Sequence, residues 1–182
     1  DPVGVSGSSY RREKCLELMK IIHPTCIRGN YSEIQALLHN CGTVTGVDAA
    51  EDALAEAEET DLPELMKQYA KENQMILVAS GEIDLITDGS CVYRCHNGSP
   101  MMARITGSGC MSTVMLGAFL SAENSVESAV ACCAFTGIAG ELAAKEMTAQ
   151  KRGTMTFRNW FIDAVSLMTP EQLEHGTDVD WF

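Results

Sequence analysis

Within this 182-residue chain, a glycine-containing loop leads directly into an apolar run in the stretch Arg104-Ile-Thr-Gly-Ser-Gly-Cys-Met-Ser-Thr-Val-Met-Leu-Gly-Ala-Phe-Leu120. Gly107 and Gly109 allow a tight turn and a close approach of the backbone to a ligand, and residues 111–120 form an apolar run that predicts a buried helix. The N-terminal end of a helix favours anions such as phosphate. Cys110 lies at this end, where the thiolate is favoured, and is a candidate base or nucleophile. A packed loop cysteine is the alternative that the pattern leaves open.

The composition is that of an ordinary globular protein, with 46% hydrophobic and 21% charged residues. The formal net charge of −12 argues against nucleic acid as a partner, because phosphate binding of that kind needs a basic face. No apolar run is predicted to span a bilayer, so no membrane partner is expected. The eight cysteines have no regular spacing, which predicts reduced thiols in a cytoplasmic protein. Cys91, Cys95 and His96 lack an obvious fourth ligand for a structural zinc site.

Helical patterns alternate with short apolar runs along the chain. The patterns predict helices over 10–22, 31–38, 62–72, 111–120, 126–147 and 156–168, and strands over 25–27, 75–79, 85–88, 91–95 and 101–105. Asn97-Gly98 predicts a hairpin turn into the last strand, and the residues from Pro170 onward are predicted to form a frayed polar tail. The alternation predicts a single α/β domain with a mainly parallel central sheet flanked by helices and functional loops at one edge.

Three polar side chains near predicted strand ends are candidates for function. Arg28 follows the strand 25–27, at the kind of position where open α/β sheets bind ligands, although a solvated loop charge also fits. Ser80 begins a loop after the strand 75–79. Glu33 lies in the first turn of the helix that starts at Tyr31, where the local pattern favours a capping carboxylate.

Four stretches of the sequence resemble hydroxyethylthiazole kinase, a thiamine-salvage enzyme of the ribokinase-like superfamily. They are Asp1-Pro-Val-Gly-Val5, Ile27-Arg-Gly-Asn-Tyr-Ser-Glu-Ile34, Ser80-Gly-Glu-Ile-Asp-Leu-Ile-Thr-Asp-Gly89 and Arg104-Ile-Thr-Gly-Ser-Gly-Cys110. The similarity continues from Gly137 to Asp163. With a cysteine at position 110, the sequence resembles the thiazole kinase branch in particular, since many ribokinase-like kinases have an aspartate at the corresponding position. The resemblance implies a layered ribokinase-like kinase domain over 1–182.

Phosphoryl transfer is the chemistry that the resemblance implies. ATP would donate its γ-phosphoryl group, with Mg²⁺, to the primary alcohol of 4-methyl-5-(2-hydroxyethyl)thiazole. Cys110 would be the base beside the substrate hydroxyl, and the amides of Gly107, Ser108, Gly109 and Cys110 would form an anion hole. Gly107 also matches a glycine that contacts the substrate.

Four further positions match binding residues of the family. Arg28 matches an arginine that contacts ATP, and Ser80 stands where the family usually has a nucleotide-contacting threonine. Asp1 and Glu33 match the acidic residues associated with Mg²⁺, with Glu33 inside the superfamily pattern Asn-x-x-Glu. Transfer of this kind needs alignment and neutralisation of charge more than covalent help from the protein.

Family members resemble homotrimers with active sites between subunits, and they have a considerable N-terminal portion before the Asp-Pro-Val-Gly stretch. The sequence is therefore expected to be the C-terminal part of the kinase, with the first strands and part of the substrate pocket on a separate N-terminal fragment. Two other functions stay open. One is another ribokinase-like kinase of a small alcohol, such as a hydroxymethylpyrimidine-type kinase, against which Cys110 argues. The other is a catalytically silent nucleotide-binding subunit.

Overall fold

The computed structural model describes residues 1–39 and 62–182. In these residues the elements are α1 (Ser9–Ile22), β1 (Cys26–Asn30), α2 (Tyr31–Leu38), α3 (Leu62–Asn73), β2 (Ile76–Ser80), β3 (Asp84–Thr87), β4 (Val92–Cys95), a 3₁₀ helix (Pro100–Arg104), α4 (Ser108–Ala122), α5 (Val126–Ala149), α6 (Thr154–Leu167), α7 (Pro170–Gly176) and β5 (Val179–Trp181). The strand order is β1-β2-β3-β4-β5. The α/β class predicted from the sequence is confirmed. The sequence also contains an Ala/Glu-rich run over 49–59, whose carboxylates are typical of a solvated helix face or a mobile segment. This run lies outside the described residues.

Side-chain caps explain why several helices begin where the sequence predicts. The hydroxyl of Ser8 accepts a hydrogen bond from the N–H of Arg11 at the start of α1. The side chain of Asn30 accepts one from the N–H of Glu33, and Glu33 returns a bond to Asn30, which completes a capping box at the start of α2. The hydroxyl of Ser125 accepts a hydrogen bond from the N–H of Ser128 at the start of α5. Each cap satisfies a backbone N–H that has no partner within the helix.

The described residues form two compact units. The first contains residues 1–79, apart from 40–61, together with 87–92. Its core consists of apolar side chains from the first loop, α2, α3 and β2, namely Val5, Ile34, Leu37, Leu38, Met66, Leu77 and Val78. By contrast, α1 buries none of its residues, and its apolar side chains Leu18, Ile21 and Ile22 are exposed.

The second unit contains residues 80–86 and 93–182 and is built around α5. One core cluster joins Ile105, Ala139, Ala143, Phe157 and Phe161, with several methionines packed against it. The rings of Phe157 and Phe161 stack with their centroids 6.3 Å apart. This cluster lies between α5, α6 and the chain that leads into α4.

Two glycines of α5 allow very close packing within the second unit. A Cβ atom at Gly137 would lie 2.5 Å from the carbonyl oxygen of Asn97, and one at Gly140 would lie 2.5 Å from the Sδ of Met102. In the sequence, these glycines lie in an alanine-rich helical pattern and predict close helix packing. The structure confirms it and shows that the neighbours are a turn and the 3₁₀ helix.

The prediction of a strand over 101–105 is wrong. Pro100–Arg104 forms a 3₁₀ helix, capped by the hydroxyl of Ser99, which accepts a bond from the N–H of Met101. Serine followed by proline is a common start of a helix, because proline has no N–H to satisfy at the first position. Asn97 is buried and binds other segments instead of forming a hairpin turn.

The prediction of a frayed C-terminal tail is also wrong. Thr169 and Gln172 form a capping box at the start of α7. Beyond it, β5 pairs antiparallel with β4 and places Asp180 opposite Arg94. The guanidinium of Arg94 donates two bonds to the carboxylate of Asp180, of 2.6 and 2.9 Å, and the ring of His96 lies 3.3 Å from the same carboxylate. Long-range contacts of this kind leave no local signal in the sequence.

Two helices differ from their predicted burial. The apolar helix α4 was expected to be buried, but only Ser112 and Leu116 are buried in it, and Val114 is 74% exposed. By its length and composition, the helix α5 is long and apolar enough to cross a membrane, although no such segment was predicted from the sequence. Of its most apolar window, 61% is buried inside the protein, as in the core helix of a globular unit.

Substitution of Gly137 by alanine should destabilise the protein by about 1–3 kcal/mol, because the added methyl group meets the backbone of Asn97. Gly117→Ala in α4 is the matched control, since nothing lies within 4 Å of its Cβ position. That control should be neutral or stabilising by up to about 1 kcal/mol. Urea denaturation of both variants measures the difference, and equal stability would contradict the close packing.

Acidification should loosen β5. The bond from Arg94 lowers the pKa of Asp180, so the stabilisation by this carboxylate is present above its ordinary pKa of about 4 and is lost as the pH falls through the lower folded value. Hydrogen exchange of residues 178–182 should therefore quicken in acid. Asp180→Asn should show quick exchange already at neutral pH, and an unchanged exchange rate in that variant would refute this role.

Candidate functional site

The turn before α4 starts the helix three residues earlier than predicted. Gly107 is the N-cap, with φ 93° and ψ −1°, a left-handed conformation that residues with a Cβ atom rarely adopt. Ser108, Gly109 and Cys110 therefore form the first turn of α4. The N–H of Met111 donates to the carbonyl of Gly107 at 2.9 Å and is the first of the helical ladder. The amides of the first turn thus precede the ladder at the positive end of the helix, where an anion is favoured.

Ser108 anchors this turn to the preceding 3₁₀ helix. Its hydroxyl donates to the carbonyl oxygen of Met102 at 2.8 Å and lies 3.4 Å from that of Ile105. Ile105 belongs to the core cluster of the second unit. The start of α4 is therefore fixed by a side-chain bond to a segment that is packed on the core.

The thiol of Cys110 is accessible. Among the free cysteines of the described chain, Cys110 is the exposed one, whereas Cys95, Cys132 and Cys133 are buried. Burial raises the pKa of Cys95 to about 12, which keeps its thiol neutral at physiological pH. The position of Cys110 in the first turn of α4 suits a base or nucleophile, and the alternative of a packed loop cysteine does not fit its exposure.

Glu33 has two structural contacts in the first unit. One carboxylate oxygen accepts the N–H of Gly4 at 2.8 Å, and the other accepts the N–H of Asn30 at 3.0 Å. The capping carboxylate that the local sequence pattern favours is therefore confirmed. The additional bond to Gly4 ties the first residues of the chain to the start of α2, which the sequence did not predict.

The other candidate residues lie on defined elements or in the first loop. Arg28 is within β1 and partly buried, so its predicted place in a turn after the strand is wrong. The reason is that Asn30 both ends β1 and caps α2, which leaves no residues for a turn. Ser80 is the last residue of β2, and the loop begins after it. Asp1 is exposed, and its carbonyl accepts the N–H of Val3 at 2.9 Å.

The candidate residues fall into two groups. Asp1, Arg28 and Glu33 belong to the first unit, and Ser80 belongs to the second together with the turn 107–110. Within the second unit the structure brings the four residues of the turn together as one continuous backbone segment. Within the first unit it brings Glu33 to the chain that starts with Asp1, through the bond to Gly4.

The carboxylates fit Mg²⁺ by their chemistry. Mg²⁺ prefers oxygen ligands and is commonly held by one or two carboxylates together with substrate phosphates. Asp1 and Glu33 carry such oxygens. In residues 1–39 and 62–182 no three histidine, cysteine or acidic side chains form a cluster that could hold a metal ion.

Sequence reasoning missed one set of residues near the turn. The side chain of Asn97 donates to the carbonyl of Gly176 at 2.8 Å and to Glu141 at 3.2 Å, and it accepts the N–H of Asp178 at 2.8 Å. The Asn97-Gly98 pair was interpreted as a hairpin turn because Asn-Gly is a common two-residue turn sequence. In the structure, the partners of Asn97 lie far along the chain. The pair Ser99-Pro100, a helix start, was the available signal against that interpretation.

Comparison with known proteins gives consistent matches. A family model described as the hydroxyethylthiazole kinase family matches residues 1–171. A hydroxyethylthiazole kinase 1 of Methanosphaera stadtmanae is 39% identical over 173 residues, which are 91% of this chain and 61% of that protein. A hydroxyethylthiazole kinase of Clostridium acetobutylicum is 35% identical over 177 residues, or 96% of this chain and 64% of that protein.

A solved structure supports the fold. The hydroxyethylthiazole kinase protein of Pyrococcus horikoshii OT3 matches all of this chain with a TM-score of 0.80 and 25% identity, and the match covers 64% of its own length. The chain thus spans slightly under two thirds of the length of these relatives, from 61% to 64%.

Labelling with iodoacetamide at pH 7.5 should modify Cys110 ahead of the other described cysteines, because its thiol is exposed at a helix N-terminus. Cys95 should react only after unfolding, since it is buried and its pKa is raised to about 12. Peptide mapping by mass spectrometry at successive times measures both rates. Cys110→Ser serves as the control. Early alkylation of the Cys95 thiol in folded protein would contradict its burial.

Proposed function

Since the chain belongs to the hydroxyethylthiazole kinase family, we propose that this protein transfers the γ-phosphoryl group of ATP to the hydroxyethyl group of 4-methyl-5-(2-hydroxyethyl)thiazole in thiamine salvage. The observation that carries the proposal is the start of α4, where an exposed thiol stands in a helical first turn. A helix N-terminus favours phosphate oxygens, and an adjacent base favours reaction of an alcohol. The helix N-terminus would stabilise charge on the transferred group, and the thiol would accept the proton of the alcohol.

Cys110 acts as the base in this mechanism. Its thiolate accepts the proton of the substrate hydroxyl as the alcohol oxygen bonds to the γ-phosphorus and the bond to the β-phosphate oxygen breaks, which releases ADP. The amides of Gly107, Ser108, Gly109 and Cys110 stabilise the negative charge on the phosphoryl oxygens during transfer. Gly107 also contacts the substrate, where the lack of a side chain leaves room beside the thiol.

Nucleotide and metal are held by the remaining candidates. The guanidinium of Arg28 binds phosphate oxygens of ATP, for which its charge and planar donors are suited. The hydroxyl of Ser80 binds the nucleotide. Asp1 and Glu33 would hold Mg²⁺, and the bonds that Glu33 accepts from Gly4 and Asn30 support a fixed carboxylate for this role. When bound, Mg²⁺ neutralises charge on the phosphate oxygens.

The same proposal extends to organisation and location. Residues 1–182 act as one ribokinase-like kinase domain, as the family match over 1–171 supports. The enzyme is a homotrimer with active sites between subunits. It works in the cytoplasm, where the irregular spacing of the eight cysteines fits reduced thiols.

The test is a coupled assay of ADP release with Mg-ATP, run with and without the thiazole alcohol, on protein whose intact mass has been measured. Release that depends on the alcohol supports the proposal, and a hydroxymethylpyrimidine alcohol is the competing acceptor. Nucleotide binding without turnover of either acceptor would refute the proposal and favour a silent nucleotide-binding subunit.

Cys110→Ala should lower kcat by about 10²-fold or more, the usual contribution of a general base. The dissociation constant of ATP should be unchanged, because the thiol contacts the acceptor side of the reaction. Cys110→Asp should retain activity, since a carboxylate also accepts a proton. An unchanged kcat in Cys110→Ala would remove the thiol from the mechanism.

A further inference from the structure

Glu141 binds the segment that leads into the proposed anion hole. One of its carboxylate oxygens accepts the N–H of Gly98 at 2.8 Å and the side-chain amide of Asn97 at 3.2 Å. A carboxylate that accepts two N–H bonds makes charge-assisted contacts, which are stronger than neutral ones. Glu141 lies on α5, the central helix of the second unit, so it connects a long rigid element with a turn.

The turn that Glu141 holds passes directly into the 3₁₀ helix. Asn97 lies against Gly137 and Met102 lies against Gly140, at distances that no Cβ atom at these glycines would allow. Residues 97–102 are therefore held by contacts at three positions on one face of α5. Gly137 and Gly140 provide packing contacts, and Glu141 provides hydrogen bonds.

A hydrogen bond connects Met102 to the start of α4. Its carbonyl oxygen accepts the hydroxyl of Ser108 at 2.8 Å, and Ser108 is the first residue of α4. The path from Glu141 to the turn 107–110 thus consists of contacts within the second unit: Glu141 to Asn97 and Gly98, the 3₁₀ helix, and Met102 to Ser108.

We infer that Glu141 is a positioning residue for the phosphoryl-transfer site, acting through the 97–102 segment and Ser108 on the amides and thiol at the start of α4. This inference rests on the proposed function. Glu141 touches no reacting group. A displacement of about 1 Å in a group that stabilises a transition state lowers the rate by as much as about 10²-fold.

The experiment compares Glu141→Ala, Glu141→Gln and Glu127→Ala by hydrogen exchange and by kinetics. Glu127→Ala is matched in charge and helix, and it lies about 21 Å from Glu141 along α5. Glu141→Ala should quicken exchange of residues 98–111 by about tenfold while residues 126–140 keep their exchange rates. Glu141→Gln keeps an oxygen acceptor and should retain most of the protection. Uniform quickening along the chain, or no change at 98–111, would overturn the inference.

The turnover number kcat is the second measurement, because loss of a residue that only stabilises the fold would not lower the kcat of the folded enzyme. The kcat is expressed per nucleotide-binding site, with the sites counted by ATP titration. Glu141→Ala should lower this kcat about tenfold and should change the KM for the alcohol little. Glu141→Gln should restore the rate. In combination with Ser108→Ala, the effects on kcat should be less than multiplicative, because both changes act on the same path.

Multiplicative effects, or equal kcat values in Glu141→Ala and Glu127→Ala, would overturn the inference. The two proposals fail separately. If wild-type protein does not phosphorylate the alcohol, the proposed function fails, and the inferred positioning of the α4 start is then decided by hydrogen exchange alone.

Discussion

The second unit depends on how closely one side of α5 is approached by its neighbours. Gly137 and Gly140 have no Cβ atom, which allows the backbone of Asn97 and the side chain of Met102 to lie against the helix. The 3₁₀ helix that contains Met102 leads to Ile105, which joins Phe157 and Phe161 in the core cluster. In a close-packed interior, a change of one methyl group is felt by its neighbours, so this side of α5 determines where the chain enters α4.

The local part of the fold could be predicted from the sequence. The bounds of α1, α2 and α5 follow from caps and hydrophobic patterns, and the residues that cap them are adjacent in the sequence. The burial of α4 could not be predicted. Apolar residues occur all round this helix, so its sequence does not distinguish a buried face, and Val114 is in fact exposed.

The candidate site also contains some features that could be predicted from local sequence signals and others that could not. Cys110 at a helix start and Glu33 in a capping box were both predicted, because glycine turns and Asn-x-x-Glu spacing are local signals. The bonds of Glu33 to Gly4 and of Glu141 to Gly98 join residues 29 and 43 positions apart. Such partners are chosen by the tertiary fold, and a single sequence does not specify them.

The pairing of β4 with β5 also determines the order in which the second unit can fold. Arg94 and Asp180 are 86 positions apart, and closing so long a loop has an entropic cost that contacts within α5 and α6 do not have. Contacts between distant residues slow folding. During synthesis, β4 stays without this neighbour until residues 179–181 have been made, so one edge of the strand is open to pairing with other chains during that interval.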